Sequence, residues 1–249
     1  MNRFEGKTAL VTGGTSGIGL AAAKAFAAEG ARVVVTGRDA AALERAKAEL
    51  GAAAHVVRSD AADIGSAKAL ADAIAAQGLR LDAVFINAGI AKMAPIEAID
   101  EAFWDETFDI NVKGAFFQIK ALLPLFNQGA SIVLNGSINA HIGMPNTVVY
   151  AASKAALISL AKTMSAELLP RGVRVNVVSP GPVKTPLYGK LGLDAATLDT
   201  VAAQIQSQIP LGRFATPEEI ASTVLHLSAP ESAFIVGTEI LTDGGMSQL

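Results

Sequence analysis

Two residues whose types and spacing could do chemistry stand in Tyr150-Ala-Ala-Ser-Lys154, a stretch holding one of only two tyrosines in the 249-residue chain. Its alanines favour a helix, and on a helix residues i and i+4 share a face at about 5–6 Å between Cβ atoms. A free phenol titrates at about 10, and an ammonium beside it favours the phenolate. Such a tyrosine can exchange a proton with a substrate near neutral pH, which is what general acid–base catalysis requires. A tyrosine four residues before a lysine also arises by accident, so the pair gains meaning only from what the rest of the chain supplies.

Thr12-Gly13-Gly14-Thr15-Ser16-Gly17-Ile18-Gly19 follows a short apolar run and opens a helical pattern. A Cβ here would hold the backbone away from a pyrophosphate, and a helix amino-terminus offers free N–H groups at the positive end of its dipole. The Gly-x-x-x-Gly-x-Gly spacing is a variant of the dinucleotide fingerprint, made specific by its place between strand and helix. At the end of the second strand an NAD site carries an acid for the ribose 2′-hydroxyl. Here Thr36 is followed by Gly37-Arg38-Asp39. With no acid to repel a 2′-phosphate, Arg38 can pair with it, while Asp39 reads as the N-cap of the next helix. NADP(H) is therefore expected in preference to NAD.

The elements that must position these residues alternate. Residues 8–11, 32–36, 55–58, 83–86, 131–134, 174–178 and 239–242 read as strands, most of them continuous Val/Ile/Leu/Ala runs that suit a parallel sheet buried on both faces. Between them lie helical stripes, Ile18, Ala22, Ala25 and Phe26 in the first and Phe108, Val112, Ala115, Ile119, Leu122 and Phe126 in a long one before the fifth strand. The alternation predicts α/β architecture: a single-domain, Rossmann-like doubly wound sheet of about seven mainly parallel strands over residues 1–249, with helices on both faces. An excursion over about 183–210, with a helical piece near 195–207, sits where a substrate loop would lie.

Composition narrows the classes. Hydrophobic residues make up 51%, mean hydropathy is +0.40 and net charge is −3. No basic cluster stands out, so neither nucleic acid nor a membrane is an expected partner. Cysteine is absent, which removes thiolate catalysis and cysteine–zinc sites. His55, His141 and His226 show no metal-ligand spacing, and no metal is expected. No run approaches the ~18 apolar residues of a membrane span and the first residues do not read as a signal peptide, so a cytoplasmic protein is expected.

With the glycine stretch, Asn87-Ala88-Gly89, Asn111, Ser137, Tyr150, Lys154 and Pro180-Gly181, the chain resembles the classical short-chain dehydrogenase/reductase family, from about Lys7 to Asp243-Gly244-Gly245. The resemblance implies that Gly13, Gly17 and Gly19 line the pyrophosphate, with Thr15, Ser16 and Ile18 in the same cradle. Asp60 and Ala61 match the family's adenine neighbours, and Asn87, Ala88 and Gly89 its ribose wall. Pro180 and Gly181 would flank the nicotinamide, with Val183 and Thr185 at its carboxamide. Asn111 matches the structural and proton-relay asparagine and Ser137 the catalytic serine, while Lys154 would lower the phenol pKa and hold the nicotinamide ribose. Physically, Ser137 and Tyr150 can stabilise the charge that develops on a carbonyl oxygen during reduction.

By the same analogy the substrate pocket is walled by Ala91, Met93, Ile138, Asn139, His141, Ile142, Met144, Leu187 and Tyr188. It is mainly apolar, which suits a neutral, fairly hydrophobic ketone or secondary alcohol as the small-molecule substrate. His141 is read either as a substrate contact or as a loop histidine with a backbone partner, and His226 as packing. Leu157, Leu160, Met164 and Leu168 are read either as core or as a subunit contact, since this helix commonly meets its counterpart in a family homotetramer. Residues 126–131 lack the basic residue of the carrier-docking ketoacyl reductases, though Arg171 could serve in part. The expected activity is an NADP-dependent carbonyl reductase/alcohol dehydrogenase. The alternatives are an NAD-linked sugar or hydroxysteroid dehydrogenase, a 3-ketoacyl carrier-protein reductase and a noncatalytic nucleotide-sensing protein.

Overall fold

The computed structural model describes residues 2–51, 54–185 and 195–249, without the side chains of residues 195, 196, 198 and 199. Among the described residues seven strands form one sheet, β1 (Thr8–Val11), β2 (Arg32–Gly37), β3 (Ala54–Arg58), β4 (Leu81–Ile86), β5 (Phe126–Asn135), β6 (Arg174–Pro180) and β7 (Glu239–Thr242). Their order is β3-β2-β1-β4-β5-β6-β7 and every pairing is parallel. Strand order therefore reverses between β1 and β4, and the crevice outside their carboxyl ends is where this architecture binds ligands.

The strand pleat sorts side chains between two cores. Leu10, Val34, Val84, Ile86, Ile132, Leu134, Val175 and Val177 face one of them. Ala9, Val11, Val33, Val35, Phe85, Val133 and Val178 face the other. Helix α1 (Gly17–Ala28) closes the second core with Ala22 and Phe26, and Leu50 of α2 (Ala40–Leu50) packs at its margin. On the opposite face α3 (Ile64–Ala76) contributes Leu70 and Ile74 to the first core. The doubly wound sheet expected from alternating elements is thus the one observed.

The long helix before β5 departs from its expected stripe. It consists of α4 (Glu101–Phe108), a π-helical segment (Asp109–Gly114) and α5 (Ala115–Leu122). A π turn inserts a residue into the helical repeat, so the apolar phase shifts across it. Ala115, Ile119 and Leu122 reach the core as expected, whereas Phe108 and Val112 are only half-buried. Phe126 belongs to β5, pairing with Leu81 and held by Arg80 Nη2, which donates to its carbonyl at 2.6 Å. That pairing also extends β5 back through the segment read as a connection.

Helix α6 (Val148–Leu168) carries the Tyr150 stretch and buries Leu157, Met164 and Leu168 in the first core, with Leu160 packed against it. That stripe is core. In the excursion the expected helical piece is α7 (Ala195–Ser207). Helix α8 (Pro217–Ser228), opened by a Thr216/Glu219 capping box, adds Ile220, Val224, Leu225 and Leu227 to the second core. His226, read as packing, is exposed on the outer face of α8, between two buried leucines.

One close approach fixes where the end of the π-helical segment, just before α5, meets the turn after β3. A Cβ added at Gly114 would collide with the carbonyl oxygen of Ala61. Gly114→Ala must separate the two and is expected to lower stability by about 1–3 kcal/mol. The urea midpoint at constant slope reads this directly, and an unchanged midpoint would show that the contact imposes no constraint.

Candidate active site

The ends of β1 and β4 are stitched together at the switch point. Thr12 Oγ1 accepts from the backbone N–H groups of Asn87 and Ala88, each at 3.0 Å. Asn87 Nδ2 donates to the carbonyls of Thr12 and Gly13, each at 3.1 Å. Gly13 turns the chain with φ +61, a left-handed conformation suited to glycine, and its N–H donates to Thr36 Oγ1 at 3.3 Å. Helix α1 follows with no side-chain cap at Ser16. Its first N–H groups therefore lack a cap and face the crevice, an arrangement that fits a phosphate. A Cβ at Gly19 would collide with the Gly13 carbonyl. Gly19 is thus required for close packing behind the loop, and among the three expected glycines it alone does not line the cleft.

A cleft of about 410 Å³ runs from this loop to the first two turns of α6. Of the expected cofactor residues, it is lined by Gly13, Thr15, Ser16, Gly17, Ile18, Arg38, Asp60, Ala61, Asn87, Ala88, Gly89, Pro180, Gly181, Val183 and Thr185. Ser137, Tyr150 and Lys154 form its inner wall beside Ala91, Met93, Ile138, Asn139 and Met144 of the expected substrate set. Leu187 and Tyr188 lie outside the described residues. His141 does not line the cleft; its Nε2 pairs with Glu239 Oε1 on the edge strand β7 at 2.8 Å, so its partner is a carboxylate far along the chain. Ile142 is likewise outside the lining.

The catalytic candidates converge from three elements. Lys154 is 5% exposed and donates from Nζ to the carbonyl of Asn135, at the end of β5, at 2.7 Å. Burial lowers its pKa to about 8. Nζ lies 5.7 Å from the centre of the Tyr150 ring. Burial also acts on Tyr150, where it outweighs the hydrogen bond with Ser137 and raises the phenol above its ordinary value. This corrects the expected lowering. The sequence places an ammonium near the phenol, but the ammonium's hydrogen bond goes to a backbone carbonyl while desolvation disfavours the phenolate. The phenol is therefore protonated at neutral pH.

Asn111, 1% exposed, sits in the π-helical segment. Its Oδ1 accepts from Ile90 N–H at 2.8 Å, and its Nδ2 donates to the Ile90 carbonyl at 2.9 Å and to Ser153 Oγ at 3.0 Å. Ser153 Oγ in turn donates to the Tyr150 carbonyl at 2.7 Å. Asn111 thus holds the loop after β4 against α6. A Cβ added at Gly89 would stand 3.1 Å from Asn111 Oδ1 and 3.6 Å from Lys154 Nζ, which shows how closely the three groups meet.

Sequence reasoning singled out neither Asn135, which lines the cleft, nor Arg58, which lies beside Arg38 but outside the lining. Asn135 Nδ2 donates to Asn87 Oδ1 at 3.0 Å, which joins the lysine's anchor to the glycine loop. A polar residue closing a buried strand was its only signal. Arg58 Nε donates to the Arg38 carbonyl at 3.1 Å, bringing a second guanidinium to the end of β2.

A glycine turn at the switch point, an uncapped helix start and a Ser137–Tyr150–Lys154 wall on one cleft define a nucleotide-binding oxidoreductase of the doubly wound class. A family model described as enoyl-(acyl carrier protein) reductase matches residues 13–247. D-threitol dehydrogenase of Mycolicibacterium smegmatis is 39% identical over 248 residues, covering 98% of this chain and 94% of that protein. A short-chain dehydrogenase from Burkholderia cenocepacia in complex with NADP superposes with TM-score 0.89 at 32% identity, covering 98% of this chain and 99% of that one. A 3-ketoacyl-(acyl-carrier-protein) reductase from Brucella melitensis complexed with NADH gives the same TM-score, 0.89, at 32% identity and the same coverage, 98% and 99%. The chain belongs to the classical short-chain dehydrogenase/reductase family. It is an oxidoreductase of a family that uses NAD or NADP.

Burial of Lys154 has a thermodynamic consequence. Its pKa falls from 10.5 to about 8 on folding, so between these values the unfolded chain binds more protons and stability rises with pH. At pH 7 the buried ammonium opposes folding. Relative to the wild type, Lys154→Met is therefore expected to be most favourable at pH 7. Denaturant titrations across pH should show that relative advantage shrink by on the order of 3 kcal/mol as pH approaches 10.5. A stability difference that stays flat with pH would remove the buried-charge account.

Proposed function

We propose that this protein is an NADP(H)-linked carbonyl reductase/alcohol dehydrogenase acting on a neutral, fairly hydrophobic ketone or secondary alcohol. The observation that carries the reading is that Ser137, Tyr150 and Lys154 share the wall of a cleft that also takes in the glycine loop. Bound NADPH would supply the hydride. Tyr150 delivers its proton to the carbonyl oxygen as charge develops there, and Ser137 hydrogen-bonds the same oxygen. Lys154 adds positive charge within the wall, and Asn111 keeps the loop after β4 in register with α6. The apolar flank of Met93, Ile138 and Met144 favours a substrate without charge.

Removing the phenol oxygen tests the chemistry. Tyr150→Phe is expected to lower kcat by about 10²–10⁴ while dinucleotide binding survives, and near-normal turnover in that variant would overturn the assignment. The direction of proton transfer sets the sign of the pH dependence, and the raised phenol pKa moves it toward alkaline pH. Reduction needs the protonated form and declines only at alkaline pH, whereas oxidation needs the phenolate and climbs with pH.

The preference for NADP rests on Thr36, buried and engaged with Gly13 N–H where an acid would select NAD, and on the adjoining Arg38 and Arg58. Each charge-assisted bond to a 2′-phosphate contributes about 1.5–3 kcal/mol. Arg38→Ala and Arg58→Ala should therefore each raise KM for NADPH about tenfold or more and leave KM for NADH within about twofold. Equal use of both cofactors by the wild type would instead favour an NAD-linked polyol dehydrogenase. That second reading draws on Asn139, a polar side chain on the otherwise apolar substrate flank, and on the likeness to D-threitol dehydrogenase.

A further inference from the structure

Asn139 is the polar exception on the substrate flank, half-buried and lining the cleft with Ile138 and Met144. It belongs to a short helical turn (Ile138–Ala140) that opens at Ser137, and this sets its amide against the serine. Ser137 Oγ accepts from Asn139 N–H at 3.2 Å and donates to Asn139 Oδ1 at 3.4 Å, so the amide oxygen faces the serine. On the other arm of the amide, Nδ2 has Met144 Sδ, at 3.8 Å, as its one hydrogen-bond partner among the described residues. A thioether is a weak acceptor and an amide nitrogen carries two N–H donors. This wall of the cleft therefore keeps donor capacity that no oxygen of the protein takes up.

Ser137 has a single hydroxyl proton to give. During carbonyl reduction that proton must point at the substrate oxygen, where charge develops, and the long bond to Asn139 Oδ1 is the one surrendered. Asn139 Oδ1 then lacks a donor while Nδ2 still lacks a good acceptor. A hydroxyl on the substrate meets both needs, because one oxygen both donates and accepts. Its position follows from the spacing. Ser137 Oγ and the Asn139 amide are immediate neighbours, so the second oxygen belongs on the carbon next to the carbonyl.

We infer that Asn139 is a specificity-determining residue and that the substrate is an α-hydroxyketone, or in the oxidative direction a vicinal diol, whose second hydroxyl is held by the Asn139 amide. The inference rests on the carbonyl reductase/alcohol dehydrogenase reading of this site. Reduction places a hydride from a reduced nicotinamide on the carbonyl carbon and the Tyr150 proton on its oxygen, which gives the diol. The neighbouring hydroxyl is bound and not consumed. Met93, Ile138 and Met144 meet the apolar remainder of the molecule.

Steady-state reduction of 2-heptanone and of 3-hydroxy-2-heptanone, each with NADPH and with NADH, tests this. The quantity read is the ratio of kcat/KM for the hydroxyketone to that for the plain ketone. The wild type is expected to favour the hydroxyketone by about tenfold or more, and the ratio to drop by about tenfold in Asn139→Leu. Asn139→Ala serves as a second variant should the first fold poorly, with thermal unfolding as the check. A wild type that does not favour the hydroxyketone overturns the inference. A ratio unchanged in the variants also overturns it, even where both ketones react more slowly, by showing that Asn139 acts on Ser137 or on the fold and not on a second substrate oxygen. Turnover of neither ketone with either cofactor overturns the carbonyl reductase reading itself, an outcome distinct from both of these.

Discussion

Asn87 is the junction on which the site depends. Its backbone N–H and side chain make four hydrogen bonds, to Thr12 Oγ1, to the carbonyls of Thr12 and Gly13, and from Asn135 Nδ2. They join the carboxyl ends of β1, β4 and β5 where strand order reverses. Each bond is worth only about 1 kcal/mol net, but leaving a buried partner unsatisfied costs about 1–3 kcal/mol. The junction therefore resists piecemeal loosening. Through Asn135 it also sets the carbonyl that holds Lys154, so the cofactor cradle and the proton-transfer wall share one anchor.

Around that anchor the two chemical groups are held by opposing tendencies. Burial drives the Lys154 ammonium toward neutrality and the Tyr150 phenol away from ionisation. Both shifts oppose the charge-separated pair that proximity alone suggests. A protein that only needed stability would place an apolar side chain at position 154. An amine there instead carries a standing cost in stability, in keeping with the proton-transfer role proposed for this wall.

Much of this is legible in the amino-acid sequence. Continuous apolar runs bounded by glycine gave the parallel strands because a sheet covered on both faces leaves no polar alternation. Asp39 read as a helix cap from local chemistry, and its Oδ1 does accept from Ala42 N–H at 2.7 Å. What escaped depends on pairings the chain order hides. His141 finds Glu239 only because β7 returns beside β6. Arg58 reaches the Arg38 carbonyl only because β3 lies next to β2. The π-helical turn at Asn111 could not be read from periodicity, since one inserted residue leaves each flanking stripe intact and changes only their relative phase. The direction of the Tyr150 shift was misjudged because spacing reports distance but not solvation.

The unpaired acceptors follow the same division between structure and ligand. Among the described residues, the buried side-chain atoms without a partner are three hydroxyls, on Ser179, Ser228 and Thr242, and two amide oxygens, on Gln118 and Asn135. A hydroxyl is a donor as well as an acceptor and can rotate to suit its surroundings. An amide oxygen has only its lone pairs to offer and must wait for a donor. Both amides line the cleft, one at the Asp60–Ala61 end and one beside Lys154. The polar groups least able to satisfy themselves thus stand in the walls of the cleft, where each carries the cost of an unpaired acceptor.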